Sequence, residues 1–173
     1  ERARFEIGHL GKILLDMMGR IPGSTEDPEA IDQIRKDEDK IDILYSEIVK
    51  YLQEIHVNTM TPQESEVFVE LVGASDNLES VGDIIAGDIL KVVEKAREKN
   101  LRASDALNDM YENLHGAVSR AVKAAIRSVE KNDEQAAQDV LALKDDVHLM
   151  VDQALQHQVL ELRGDEPPGI ETF

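Results

Sequence analysis

Apolar residues recur along this chain three, four and seven positions apart, the spacing of one helix face rather than the alternation of a strand. Five such segments follow one another, and the pattern predicts no strands. The first covers about Arg2–Met18, with Leu10, Ile13, Leu14, Met17 and Met18 on one side. It is expected to end at Gly19, before the breaker run Ile21-Pro22-Gly23-Ser24. The second, from about Pro28 to Ile55, sets Ile34, Ile41, Ile48 and Ile55 seven apart with Leu44 and Tyr51 between them, as in the seam of a helical bundle. The third, Thr61 to Lys99, opens on the clearest start signal in the chain. Thr61 suits an N-cap, Pro62 the first helical position, and Glu64 completes a capping box. This segment carries Leu71, Leu78, Ile85 and Val92, again seven apart, and should stop at Asn100. The fourth runs from Ser104 through Leu107, Leu114, Val118, Val122, Ile126 and Val129. The fifth starts at Asn132, where Gln135 suggests a second capping box, and passes through Val140, Val147, Met150 and Val151 to about Leu162. The tail Arg163–Gly169 reads as loop, and its Arg-Gly-Asp triplet as a chance match to an adhesion motif.

The pattern also repeats. A shift of 106 residues lays the second helix on the fifth: Ala30 meets Ala136, Ile34 meets Val140, Ile41 meets Val147 and Leu44 meets Met150. The helices before them correspond once a two-residue loop difference is allowed. The expectation is therefore an all-α fold of two three-helix units in tandem. The first occupies residues 1–100; the second, 101–173, is truncated and lacks its third helix.

Charge narrows the partners. The chain of 173 residues carries 36 acidic and 19 basic side chains, a net charge of −17. That field repels nucleic-acid phosphates and anionic membrane surfaces, so no nucleic acid and no direct lipid binding are expected. A hydrophobic fraction of 42% is enough for a core, which argues against wholesale disorder. Without cysteine there are no disulfides, iron–sulfur clusters or thiol nucleophiles. No apolar run reaches the ~20 residues of a membrane span. The mixed-charge start Glu1-Arg2-Ala3-Arg4-Phe5 is no signal peptide, and the absence of an initiator methionine suggests a fragment or a processed product.

Two acid pairs carry the candidate chemistry. Glu38 and Asp42 lie four apart in the second helix, Glu79 and Asp83 four apart in the third, so each pair shares a helix face. Like charges so placed repel, and a cation between the helices would remove the repulsion. Oxygen-only ligands suit magnesium, manganese or iron. Asp76, three before Glu79, can join that face, and Gly82 beside Asp83 is explained by a close helix approach. His9, His56, His115, His148 and His157 are scattered, with no serine nucleophile and no glycine-rich phosphate loop, so catalysis is not expected.

Leu78-Glu79-Ser80-Val81-Gly82-Asp83-Ile84-Ile85 resembles the Leu-Glu-x-Ile-Gly-Asp signature of the PhoU family. Asp39-Lys40-Ile41-Asp42-Ile43-Leu44-Tyr45 resembles its other motif, an acid-x-x-x-Asp before Leu-Tyr. Glu6-Ile7-Gly8, Tyr51-Leu52, His157–Arg163 and Ile170-Glu171-Thr172 are similar to the PhoU-like C-terminal domain of bacterial sodium/phosphate cotransporters. The resemblance implies a metal cluster, chiefly iron or zinc, at Glu38, Asp42, Glu79 and Asp83. By the 106-residue shift Glu38 falls on Lys144 and Asp42 on His148, so one metal site at most is expected; Asp145, His148 and Asp152 share a helical face that could hold an ion but reads first as an exposed polar face. The resemblance further implies a non-catalytic regulatory domain on the cytoplasmic side of the inner membrane, with the cotransporter's membrane domain as partner. The alternatives are a free-standing PhoU-like phosphate regulator and, in another class, a carboxylate-bridged metalloenzyme bundle, which usually needs a Glu-x-x-His motif. With no third helix in the second unit, a homodimer through the fourth and fifth helices is also expected.

Overall fold

The computed structural model describes residues 1–54, 60–163 and 170–172. Six α-helices follow in order: α1 Arg2–Arg20, α2 Pro28–Gln53, α3 Pro62–Ile84, α4 Leu90–Glu98, α5 Asp105–Lys131 and α6 Glu134–Arg163. A 3-10 turn, Ile21–Gly23, prolongs α1, and a π-helical turn, Ile85–Ile89, joins α3 to α4 without a break. The five helical segments of the sequence are therefore five rods, the third of them bulged. The expected end of the second helix at Ile55, His56, and most of the Arg-Gly-Asp stretch lie outside the described residues.

The helix ends follow local chemistry. Thr61 and Glu64 form the full capping box, each side chain taking the other's backbone N–H. Asp27 caps α2 and Ser104 caps α5. The start assigned to the fifth helix needs correction. Asn132 sits at φ 52°, ψ 45° as the left-handed C-cap of α5, a conformation Asn tolerates better than most residues. The cap of α6 is its neighbour Asp133, whose Oδ1 accepts from Ala136 N at 3.0 Å. Asn100, at φ 50°, ends α4 in the same left-handed way.

The expectation of no strands also needs correction. Leu101–Ala103 (β1) pairs antiparallel with Ile170–Thr172 (β2), Arg102 opposite Glu171. The linker between Asn100 and Ser104 is extended, and its backbone groups need partners that a helix would have supplied internally. β-branched Ile170 and Thr172 suit that role.

The core is centred on α1. Ala3, Ile7, Leu10, Leu14 and Met17, spaced four and three apart, are buried, and Gly11 and Met18 bury a second face. One side of α1 meets α2 and α3; another meets α5. The α5 side is tight. A Cβ on Gly11 would lie 2.6 Å from Ile126 Cγ1, and one on Gly8 2.5 Å from Glu130 Cγ, so only glycine permits this approach. Arg4 Nη1 donates to Val129 O at 2.8 Å, and His115 Nε2 to Met18 O at 3.0 Å, one near each end of the contact. The stripe on α5 (Val118, Val122, Ile126) is thus covered in part by α1. By contrast, α6 packs extensively on α5 alone among the described residues.

The π turn shifts the third rod's seam. Leu71 and Ile85 are buried as the seven-residue spacing requires, but Val92, the next in phase, is 69% exposed. The turn inserts one residue and rotates everything after it by about 100°. Leu90 and Val93 consequently take the core positions.

Candidate metal centre

Helices α2 and α3 meet at Gly82 and Ile41. Gly82 is buried, and a Cβ there would stand 3.3 Å from Ile41 Cδ1, ordinary side-chain contact already compressed. This is the close approach anticipated beside Asp83. It brings acid faces of the two helices together: carboxylate oxygens of Glu38, Asp42 and Asp83 all lie within 4.8 Å of one another. Glu38 is half-buried; Asp42 and Asp83 are exposed.

Charge in this cluster is not balanced by protein cations. Neighbouring bases are committed elsewhere: Arg35 pairs with Glu94, and Lys40 Nζ at 2.7 Å and Arg20 Nη1 at 2.9 Å both bind Asp37, which is buried and also receives Gln33 Nε2 at 2.9 Å. Among the described residues, no ion pair reaches Glu38, Asp42, Glu79 or Asp83. Partial burial pushes the Glu38 carboxyl above its ordinary range, and the charges of Asp42, Asp39, Asp83 and Glu79 push it further. Glu79 is also raised, by partial burial and then by Asp83, Asp42 and Asp76, against a weak opposing bond from Ser80. Glu79 therefore belongs to the same electrostatic cluster while standing outside the tightest group of three. Asp76 borders it differently: Tyr45 Oη donates to Asp76 Oδ1 at 2.8 Å, and that bond raises the Tyr45 hydroxyl.

The donor set fits a hard divalent ion. Oxygens bonded to one cation at roughly 2.0–2.6 Å stand at most about 5 Å apart, the spread these three already have. No second group of this kind converges among the described residues, and Asp145, His148 and Asp152 remain an exposed face of α6. The sequence did not point to Asp37, and it gave Tyr45 only a place in the family motif, with no partner. The signal was present in Arg20 and Lys40 for the first, and in the i-to-helix-partner reach of Tyr45 for the second, but neither is legible before the two helices are juxtaposed.

The structure is a helical bundle with an acid cluster between its second and third rods that no protein cation neutralises among the described residues. The cluster lies inside a match to the PhoU domain that spans residues 7–93, half of the chain. The chain belongs to the PhoU family. Comparison with curated proteins and with solved structures gives no match. Among the described residues, no helix is long and apolar enough to cross a membrane.

Proposed function

We propose that this chain is the non-catalytic regulatory domain of a sodium-dependent phosphate cotransporter, held at the cytoplasmic face beside the membrane domain. PhoU membership itself carries the coarser statement, a regulatory role tied to phosphate in a non-enzymatic family. The cotransporter context rests on the similarity of the stretches around His157–Arg163 and Ile170–Thr172 to that branch. In this reading a cation (iron, zinc, manganese or magnesium) is held by Glu38 and Asp42 of α2 and by Glu79 and Asp83 of α3, with Asp76 at the border. Bound there, it supplies positive charge. Glu38 and Asp83 then cease to repel, Gly82 stays against Ile41, and α2 and α3 act as one body through which occupancy can be read elsewhere.

The observation that carries the metal part is the convergence of Glu38, Asp42 and Asp83 with no basic side chain among them. Elemental analysis of the purified domain, with melting followed in chelator and in each divalent ion, tests it. The wild type should hold metal and melt lower after chelation, whereas Glu79→Gln with Asp83→Asn should lose both properties. Indifference of the wild type to chelator and to added ions would make the acids a solvated face. The transport part is tested with the transporter in vesicles. Sodium-driven phosphate uptake should change in rate or phosphate dependence when this domain is deleted; identical uptake ends that reading.

A further inference from the structure

The third rod carries two apolar seams, and the present structure uses one of them. After the π turn at Ile85–Ile89, Leu90 and Val93 are buried while Val92 is exposed. The turn closes with Leu90 N–H on Ile85 O, a hydrogen bond across five residues where a regular helix spans four. It therefore stores one residue. If that residue returns to the regular ladder, every residue beyond takes the place of its successor, with a rotation of about 100° and an advance of about 1.5 Å. Ile89 then occupies the place of Leu90, and Val92 the place of Val93. Both exchanges conserve apolarity and very nearly volume, so the interior is filled in either register. Leu90 moves to the place of Lys91, and Lys91 to that of Val92, both at the surface. The polar tie is not conserved. Arg35 of α2 pairs with Glu94 in the present register, and in the other it faces Val93.

We propose that the third rod is a two-register element: the bulged form, latched by the Arg35–Glu94 pair, in equilibrium with a straight form in which Ile89 and Val92 face the core. The two fillings of the interior are nearly equivalent, and the ion pair that separates them is partly exposed, so the latch is weak and the straight form is a minor state within reach. Gly87 sits in the turn with nothing within 4 Å of its Cβ position, so no neighbouring side chain obstructs the rearrangement there. The joint at Asn100, beyond the end of α4, takes up the advance. The consequence is at the surface. Lys91, Lys95 and Lys99 are exposed on α4, and the change of register swings them to a new bearing while α1, α2 and the body of α3 stay in place. A partner that reads α4 distinguishes the two forms. The inference stands apart from the acid cluster: it needs no cation, only Arg35 and the residues from Ile85 onward.

The chain has no cysteine, so single introduced thiols report each place by their reaction with a soluble aromatic disulfide. The decisive variant is Leu90→Lys with Val93→Glu. In the bulged register it buries a lysine and a glutamate; in the straight register the new lysine takes the outer place of Lys91 and the new glutamate meets Arg35. The double variant should fold, as followed by circular dichroism, and melt within about 5 °C of the wild type. Val92→Cys should react freely in the wild-type background and about tenfold or more slowly in the double variant, where it faces the core. In the wild-type background Leu90→Cys should react through the straight form. Deleting Gly87 removes the stored residue and leaves Leu90 seated without a bulge, so Leu90→Cys should then react about tenfold or more slowly. Glu94→Gln releases the latch and should speed Leu90→Cys about threefold. Collapse of the double variant, or a Val92→Cys that stays as reactive there as in the wild-type background, would overturn the proposal. So would a Leu90→Cys rate indifferent to loss of Gly87, which marks plain fraying of α4. An unchanged rate in Glu94→Gln would overturn the latch.

Discussion

Helices α2 and α6 carry the same apolar stripe 106 residues apart and meet different fates. Ile34 and Ile41 are completely buried, while their counterparts Val140 and Val147 are only half-buried. The stripes do not explain the difference. What differs is the number of neighbours: α2 is held between α1 and α3, whereas α6 leans on α5. A heptad seam thus specifies which side of a helix is apolar, and the third helix decides whether that side becomes core.

The sharpest test truncates matched residues. Ile41→Ala should cost about 2–5 kcal/mol, since it opens a cavity in a filled interior. Val147→Ala should cost about 1 kcal/mol or less, because water already reaches the site. At roughly 2–4 °C per kcal/mol for a chain this size, thermal melts separate the two readily. Equal losses would break the comparison. The joint between the halves comes next. Gly11→Ala should cost about 1–3 kcal/mol through its collision with buried Ile126. Gly73→Ala, which meets nothing within 4 Å, should stabilise by up to about 1 kcal/mol. A neutral Gly11→Ala would mean that α5 is not seated on α1.

Caps should give a smaller and more even effect. Thr61→Ala in the first half and Asp133→Ala at the start of α6 each remove a side-chain acceptor, for about 1 kcal/mol in chemical denaturation. The smallest effect is electrostatic. The folded-state pKa of Glu38 is raised, so its favourable contribution is complete below the ordinary carboxylate range and disappears as pH rises through the raised value. In chelator at pH 7, Glu38→Gln should therefore melt slightly higher than wild type, by a few tenths of a kcal/mol, and the two should converge on acidification. Lys144→Gln, the matching change in α6, should show no such gain. A Glu38→Gln variant that melts lower in chelator at pH 7 would mean that repulsion is not what limits this cluster.

Much of this was legible from spacing alone. The five rods, the Thr61 capping box, the Asn100 stop and the Gly82 approach follow from local rules that act within a turn or two. Each acid pair, Glu38 with Asp42 and Glu79 with Asp83, was visible as an i, i+4 spacing, because a shared helix face needs no tertiary information; that Asp83 meets the α2 pair was not. What was not visible depends on geometry between elements. Val92 fits the seven-residue phase perfectly well, and nothing in Ile85-Ala86-Gly87-Asp88-Ile89 announces the extra residue that turns it outward. Asn132 and Asp133 are both competent caps, and only the left-handed turn of the chain at Asn132 assigns them. The β1–β2 pair joins segments about seventy residues apart, each too short to show an alternation.

The seating of α5 on α1 has a consequence for the order in which the molecule assembles. Among the described residues, nearly all of the fully buried side chains lie on α1 to α4. The α5–α6 hairpin, whose buried residues among those described are Ala117, Ile126 and Ala136, has little interior of its own there. It must form against a surface already presented by Gly8, Gly11 and Met18. During synthesis from the N-terminus the first half emerges first, so the hairpin arrives at a finished template. Refolding from denaturant should retain that hierarchy: amides of α1 and α2 protected early, those of α6 last, and hydrogen exchange in the native state fastest along α6.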